Sequence, residues 1–210
     1  MHHVMFDIDG TLLQSDGFDT ELFSAAVLDE TGIDVDSDWS RYTHVTDAGI
    51  LHQLLTEHSL SDDIDSVFAR VKRNFVERVS IYLEQNPACE VPGAGEFLSR
   101  LKSRDDVRVS IATGGWGETA RLKLASADLL DETIPLASCN DHPARSEIMR
   151  VAARLAGVTR HCSYFGDGSW DRSACAELGF NFILVGCATQ HHQQIDDFRD
   201  PELALGYIGF

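Results

Sequence analysis

The segment Asp7–Thr11 (Asp-Ile-Asp-Gly-Thr) ends the apolar run Val4–Ile8, a pattern that predicts a buried strand followed by a tight turn. The carboxylates of Asp7 and Asp9 can converge if the chain turns, and Gly10 permits a turn. One carboxylate held against a divalent cation stays ionised and can attack phosphorus, while the other can protonate the leaving oxygen. Asp-Ile-Asp alone is more typical of an acidic turn, but the complete Phe-Asp-Ile-Asp-Gly-Thr-Leu string favours the chemical interpretation.

A second acidic pair, Asp167 and Asp171, follows the predicted strand Ser163–Phe165. Four residues make about one helical turn, so both carboxylates can face the same point. Carboxylate oxygens suit Mg²⁺, which uses few protein ligands and keeps several waters. The pair therefore indicates a Mg²⁺ site, although Asp171 is also typical of a first-turn acid favoured by the helix dipole.

A third segment, Thr113-Gly114, lies between a predicted strand (Val107–Ala112) and a predicted helix (Trp116–Ala127). Its hydroxyl and glycine N–H can bind a phosphate oxygen, helped by the dipole of the helix. By itself, so short a glycine motif more often marks a plain strand-to-helix turn.

Phosphoryl transfer also needs a cation to offset the negative charge. None of the three lysines precedes Asp167 at the start of a helix, whereas Arg145 precedes the predicted helix Ser146–Ala156. Its guanidinium could bridge Asp7 and a phosphate oxygen. The alternative is an ordinary surface arginine.

The composition limits the possible partners. The 210 residues include 34 acidic and 17 basic ones, for a formal net charge of −17. Nucleic acids and anionic membranes are bound through basic surface, so neither is an expected partner. Five cysteines without a Cys-x-x-Cys pair, no bilayer-length apolar run and no signal-peptide pattern predict a cytoplasmic protein.

The order of predicted elements indicates two structural parts. From about Asp19 to Leu83 the apolar pattern is helical in three stripes, and beyond Asn86-Pro87 strands and helices alternate. Alternation of this kind predicts an α/β fold with a parallel sheet, whose ligands bind beyond the carboxyl ends of the strands. Further predicted elements are the helices Gly93–Ser103 and Ser169–Leu178, the strand Phe180–Val185, a possible short strand at Ile134, and an inward face of Ile148, Met149, Ala152 and Leu155 on the helix Ser146–Ala156.

Together, these segments resemble the haloacid dehalogenase superfamily of phosphohydrolases, in a form similar to phosphoglycolate phosphatases with a helical, C1-type cap. The resemblance covers residues 1–15 and 88–188. It implies a Rossmann-like three-layer core domain of residues 1–15 and 88–210, with an inserted all-helical cap domain of residues 16–87.

The resemblance also implies roles for individual residues. Asp7 matches the family's nucleophile, and Asp9 matches its general acid/base and a metal contact through the backbone carbonyl. The other matches are the phosphate-binding Thr113, the cation Arg145 (where the family more often has lysine) and the metal-binding acids Asp167 and Asp171. The implied enzyme is a Mg²⁺-dependent phosphatase that hydrolyses a small phosphorylated metabolite through an aspartyl-phosphate.

Two other functions remain open. A phosphomutase acting on a sugar phosphate would use the same acids, and a non-catalytic phosphate-binding module would keep the fold. The cap loop Trp39–His44 is either a specificity region or an ordinary interhelix loop, and Trp116 either faces the cap across the site or simply packs. The sequence does not identify the phosphate ester or the oligomeric state.

Overall fold

The computed structural model describes residues 1–60, 64–157, 162–187 and 189–210. Over these ranges a single parallel sheet is formed. Its strands are β1 (His2–Phe6), β2 (Val107–Ala112), β3 (Leu136–Ala137), β4 (Cys162–Gly166), β5 (Asn181–Val185) and β6 (Gln194–Ile195). They are arranged in the order β3-β2-β1-β4-β5-β6.

The helices of the described residues either flank the sheet or form the cap. In chain order they are α1 (Asp16–Thr31), α2 (Asp47–Glu57), α3 (Ile64–Gln85), α4 (Ala94–Lys102), α5 (Gly117–Ser126), α6 (Arg145–Leu155), α7 (Ser169–Leu178) and α8 (Pro201–Ile208). Apolar residues of α4, α5 and α8 pack with Val4 and Phe6 of β1, whereas those of α6 and α7 pack with Met5. Because alternate strand residues point to opposite faces, the core has three layers, and the predicted Rossmann-like α/β fold is confirmed.

The register of the sheet brings three strand ends to one edge. Phe6 of β1 lies beside Ile111 of β2 and Phe165 of β4. The residues that follow these three strands therefore emerge side by side, as expected for the carboxyl edge of a parallel sheet.

The helical cap consists of α1, α2 and α3, joined in part by a 3₁₀ turn at Trp39–Arg41. Gly32 ends α1 in the left-handed conformation, and Thr46 caps α2 by accepting a hydrogen bond from Gly49 N–H. The two segments that connect the cap to the core lie side by side. They are joined by hydrogen bonds from Gln14 N–H to Cys89 O and from Val91 N–H to Leu12 O, both 2.9 Å. The exact domain boundaries stay a prediction.

An aromatic cluster joins the cap to the core. Trp116, which directly precedes α5, is 1% exposed and packs against Phe23, Phe68 and Phe75 of the cap at centroid distances of 6.0, 5.7 and 5.8 Å. Trp116 therefore packs against the cap, as the packing interpretation expects, and it does not line the cavity described below.

Three details differ from the sequence prediction. The first strand ends at Phe6, and Ile8 is buried in the following turn. The short strand lies at Leu136–Ala137, because Ile134 N–H is used in a turn to Asp131 O. Leu155 is 58% exposed, since it is the last residue of α6 and lies near Val107 at the opposite, amino end of the sheet.

Candidate active site

Asp7 lies at the centre of the carboxyl edge, directly after β1, and is 3% exposed. Its N–H continues the sheet by donating to Phe165 O at 2.9 Å, which fixes the position of the side chain. One carboxylate oxygen accepts a hydrogen bond from Ile8 N–H at 2.8 Å and the other accepts one from Arg145 Nη1 at 3.0 Å.

The turn after Asp7 needs a glycine for two separate reasons. Gly10 has φ +70°, a conformation that residues with a Cβ rarely adopt. A Cβ at this position would also overlap the carboxylate of Asp167. The turn can therefore approach the second acidic segment only because the residue has no side chain.

Three carboxylates converge at this point, because ligand atoms of Asp7, Asp167 and Asp171 all lie within 4.8 Å of one another. Asp171 is fully buried on the first turn of α7, where it accepts hydrogen bonds from Gly168 N–H at 3.2 Å and Tyr164 OH at 3.3 Å. The structure therefore brings together the two acidic segments that the sequence placed at neighbouring strand ends.

The cluster carries more negative charge than its neighbours neutralise. Burial raises the pKa of Asp7 to about 7, partly opposed by Arg145, and burial with the nearby Asp171 raises the pKa of Asp167 to about 8. Three carboxylates this close together offer only oxygen ligands, which suit a divalent cation such as Mg²⁺. The cation would stabilise their ionised forms. The donor set thus fits the predicted metal.

Asp9 is held apart from this cluster. Both of its carboxylate oxygens accept hydrogen bonds from Lys123 Nζ, at 2.6 and 2.7 Å, and Ser15 Oγ donates to one of them. Its side chain nevertheless lines the same cavity as Asp7. Any metal contact of Asp9 is left to its backbone carbonyl, as the family resemblance implies.

Lys123 was not among the residues singled out from the sequence. It is 1% exposed on α5 and also donates to Asp19 of the cap at 2.7 Å. Burial alone lowers the pKa of a lysine, but Asp19 and Asp9 together raise the pKa of Lys123 above its usual value. The available signal was its position on an apolar stripe, between Ala120 and Leu124.

The loop Thr113–Gly115 lies beside Asp7 at the end of β2. Thr113 is buried, and its hydroxyl accepts a hydrogen bond from Gly115 N–H at 3.2 Å. A Cβ on Gly114 would overlap the guanidinium of Arg145, so this glycine allows the arginine to lie against the loop. The loop therefore places a hydroxyl and two glycines next to a cation at the cavity wall, and phosphate binding by Thr113 and Gly114 stays a prediction.

Arg145 is the first residue of α6 and connects the acids to the cap. Its Nη1 lies 3.0 Å from both Asp7 and Asp171, and its Nη2 donates to Val45 O at 3.2 Å. The surface-arginine alternative is thereby wrong, and the second partner of the guanidinium is Asp171.

A cavity of about 530 Å³ lies between these core residues and the cap. From the predicted specificity loop Trp39–His44 only Trp39 lines it, since Arg41 forms an exposed ion pair with Asp36 instead. The cap wall is completed by Val45, Thr46 and Asp47, which follow the loop, and by residues of α1 and α2 that include Asp19, Glu21, Phe23 and Ile50.

Comparison with known proteins identifies the family. Residues 1–179 match the sequence model of the haloacid dehalogenase-like hydrolases. The chain belongs to this family, and the predicted hydrolase class is confirmed. A search of curated proteins found no match.

Solved structures show the same fold at low sequence identity. A hydrolase from Pseudomonas syringae has a TM-score of 0.78 at 20% identity, covering 98% of each chain. CbbY from Rhodobacter sphaeroides, solved in complex with phosphate, has a TM-score of 0.72 at 17% identity, covering 94% of this chain and 95% of its own. A putative phosphoglycolate phosphatase from Lactobacillus plantarum has a TM-score of 0.67 at 18% identity, covering 98% of each chain. Among the described residues, no helix combines the length and apolarity needed to cross a membrane.

Proposed function

We propose that this protein is a Mg²⁺-dependent phosphatase that hydrolyses a small organic phosphate monoester through an aspartyl-phosphate on Asp7. The observation that carries the proposal is the meeting of Asp7, Asp167 and Asp171 within 4.8 Å of one another, beside Arg145 and the Thr113 loop. Asp7, Asp167, Asp171 and the Asp9 carbonyl would hold the ion, whose positive charge would lower the repulsion between Asp7 and the phosphoryl group.

The protein residues divide the reaction into two steps. An oxygen of Asp7 bonds to phosphorus as the ester P–O bond breaks, and Asp9 gives its proton to the leaving alcohol. Water then attacks the aspartyl-phosphate, Asp9 takes a proton from that water, and inorganic phosphate leaves Asp7. Thr113, Gly114 and Arg145 bind the phosphoryl oxygens throughout.

A closed cap supports a small substrate. Asp47 N–H donates to Gly114 O at 3.0 Å, and Thr46 Oγ1 donates to Pro143 O at 2.7 Å, so the start of α2 is tied to the core by two hydrogen bonds. A cavity covered by the cap limits the access of bulk water to the acyl-phosphate, and it admits a metabolite more readily than a protein. All five cysteines are free, which supports the proposal of a reducing, cytoplasmic compartment.

Phosphate release from a metabolite panel, with and without Mg²⁺, tests the proposal. Asp7→Asn should remove turnover, and Asp9→Asn should lower it by roughly 10²–10⁴-fold. The matched control is Asp105→Asn, which changes an exposed acid outside the cavity. Undiminished release by Asp7→Asn would exclude the covalent mechanism, and isomerisation that requires a bisphosphate activator would indicate a phosphomutase.

A further inference from the structure

The cap wall of the cavity is acidic. Asp19, Glu21 and Asp47 line it, whereas the cation among the lining residues is Arg145, which belongs to the core and is paired with Asp7 and Asp171. Lys123 forms an ion pair with Asp19, but Lys123 itself does not line the cavity. A second anionic group on the substrate would therefore meet negative charge on the cap side.

Asp47 is the buried acid of this cap wall, and one of its carboxylate oxygens is left unpaired. It is 9% exposed, and one oxygen, Oδ2, accepts a hydrogen bond from Trp116 N–H at 2.9 Å. Within the part of the chain that the structure describes, Oδ1 has neither a hydrogen-bond donor nor a salt-bridge partner. An unpaired carboxylate oxygen on a residue that lines the cavity can accept a hydrogen bond from a ligand, so a ligand that donates to it would be favoured.

Contacts with the Thr113–Gly115 loop fix the position of Asp47. Its N–H donates to Gly114 O, and its Oδ2 and the Thr113 hydroxyl each lie 3.7 Å from the point where a Cβ of Gly115 would be. A phosphoryl group bound by Thr113 would therefore lie within the length of a small molecule from Asp47. Burial and the neighbouring Asp19 raise the pKa of Asp47 well above its usual value, although the charge of Lys123 opposes this shift.

We infer that Asp47 binds a cationic amino group on the substrate, so that the preferred substrate is a phosphate monoester of an amino alcohol. This inference rests on the proposed phosphatase function. The ammonium would donate to Asp47 Oδ1 while the phosphoryl group occupies the Thr113 loop. A carboxylate in the same place, as in phosphoglycolate, would be repelled.

Three two-carbon esters of similar size test the inference: phosphoethanolamine, 2-hydroxyethyl phosphate and phosphoglycolate, which end in an ammonium, a hydroxyl and a carboxylate. The wild-type kcat/KM should be at least about tenfold higher for the ammonium ester than for the hydroxyl ester, as expected for a charge-assisted hydrogen bond, and lowest for the carboxylate ester. Equal rates, or a preference for the hydroxyl or carboxylate ester, would overturn the inference without any variant being made.

Asp47→Asn assigns the preference to this residue, because asparagine can still accept from Trp116 N–H while the charge is lost. In this variant, the kcat/KM for the ammonium ester divided by that for the hydroxyl ester should fall about tenfold. Glu57→Gln, which removes an exposed charge at the other end of α2, should leave this ratio unchanged. An unchanged ratio in a folded Asp47→Asn variant would overturn the assignment.

The two proposals fail in different ways. Release of phosphate from p-nitrophenyl phosphate that depends on Asp7, without an ammonium preference, would leave the phosphatase function standing and remove the role of Asp47. Absence of Mg²⁺-dependent release from every ester would remove both.

Discussion

Lys123 Nζ donates hydrogen bonds to both carboxylate oxygens of Asp9, at 2.6 and 2.7 Å, from a position that is 1% exposed. The same ammonium donates to Asp19 on α1. One buried cation therefore joins the Asp7–Thr11 turn, a core helix and the cap. Its removal would leave two carboxylates facing each other without a counter-charge.

We expect Lys123→Met to lower the free energy of unfolding by about 3–5 kcal/mol, the typical cost of removing one partner of a buried ion pair. Urea denaturation measures this change. Lys102→Met is the matched control, because Lys102 pairs with Asp131 at the surface and should cost less than about 1 kcal/mol. Adding Asp19→Asn to Lys123→Met should restore part of the loss; similar losses in both single lysine variants would contradict the expectation.

Mg²⁺ should raise the melting temperature, because it would bind the three-carboxylate cluster of the folded state and not the unfolded chain. Burial raises the pKa of Asp7 to about 7 and that of Asp167 to about 8, so protons compete with the ion below these values. Differential scanning fluorimetry should therefore show a larger Mg²⁺-induced shift at pH 8.5 than at pH 6.

Asp167→Asn should lose most of this Mg²⁺-induced shift, while the surface variant Asp105→Asn should keep it. A shift of equal size in the two variants would place the ion elsewhere.

Arg145→Met should lower kcat/KM by about 10²–10³-fold, the range found when one charge-stabilising donor is removed from an active site. Arg145→Lys should lose less, but it should not recover full activity, because one ammonium cannot reproduce the contacts that two guanidinium nitrogens make with Asp7, Asp171 and Val45 O. Steady-state kinetics on the best ester measures both variants. A lysine variant as active as wild type would show that the charge alone matters.

Acid should destabilise the core through His3. Its Nε2 shares a hydrogen bond with Ser110 Oγ at 2.8 Å, and burial lowers its pKa from 6.5 to about 4. Between these pH values the unfolded histidine binds a proton and the folded one does not, so stability falls as the pH drops from 6.5 to 4. His3→Gln should remove about 1–3 kcal/mol of the loss between pH 7 and pH 4.5 in urea titrations. The exposed His52→Gln should leave the slope unchanged, and parallel curves for wild type and His3→Gln would contradict the assignment.

The sequence determined the features that depend on local pattern. Short buried runs located the strands β2 and β4, and period-3.6 apolar spacing located the cap helices, with the buried face of α3 through Val71, Phe75 and Val79. The spacing of Asp7 and Asp9, and of Asp167 and Asp171, indicated the acids, because parallel strands bring their carboxyl ends to one edge.

Only the tertiary structure decided which residues complete the site. Asp9 and Lys123 are 114 residues apart in the chain, and Asp47 and Trp116 are 69 apart. An apolar stripe predicts that a side chain is buried but not which element it meets, since that depends on how the cap docks on the sheet. For the same reason, Arg41 in the predicted specificity loop pairs with Asp36 at the surface, while Asp47, a few residues later, lines the cavity.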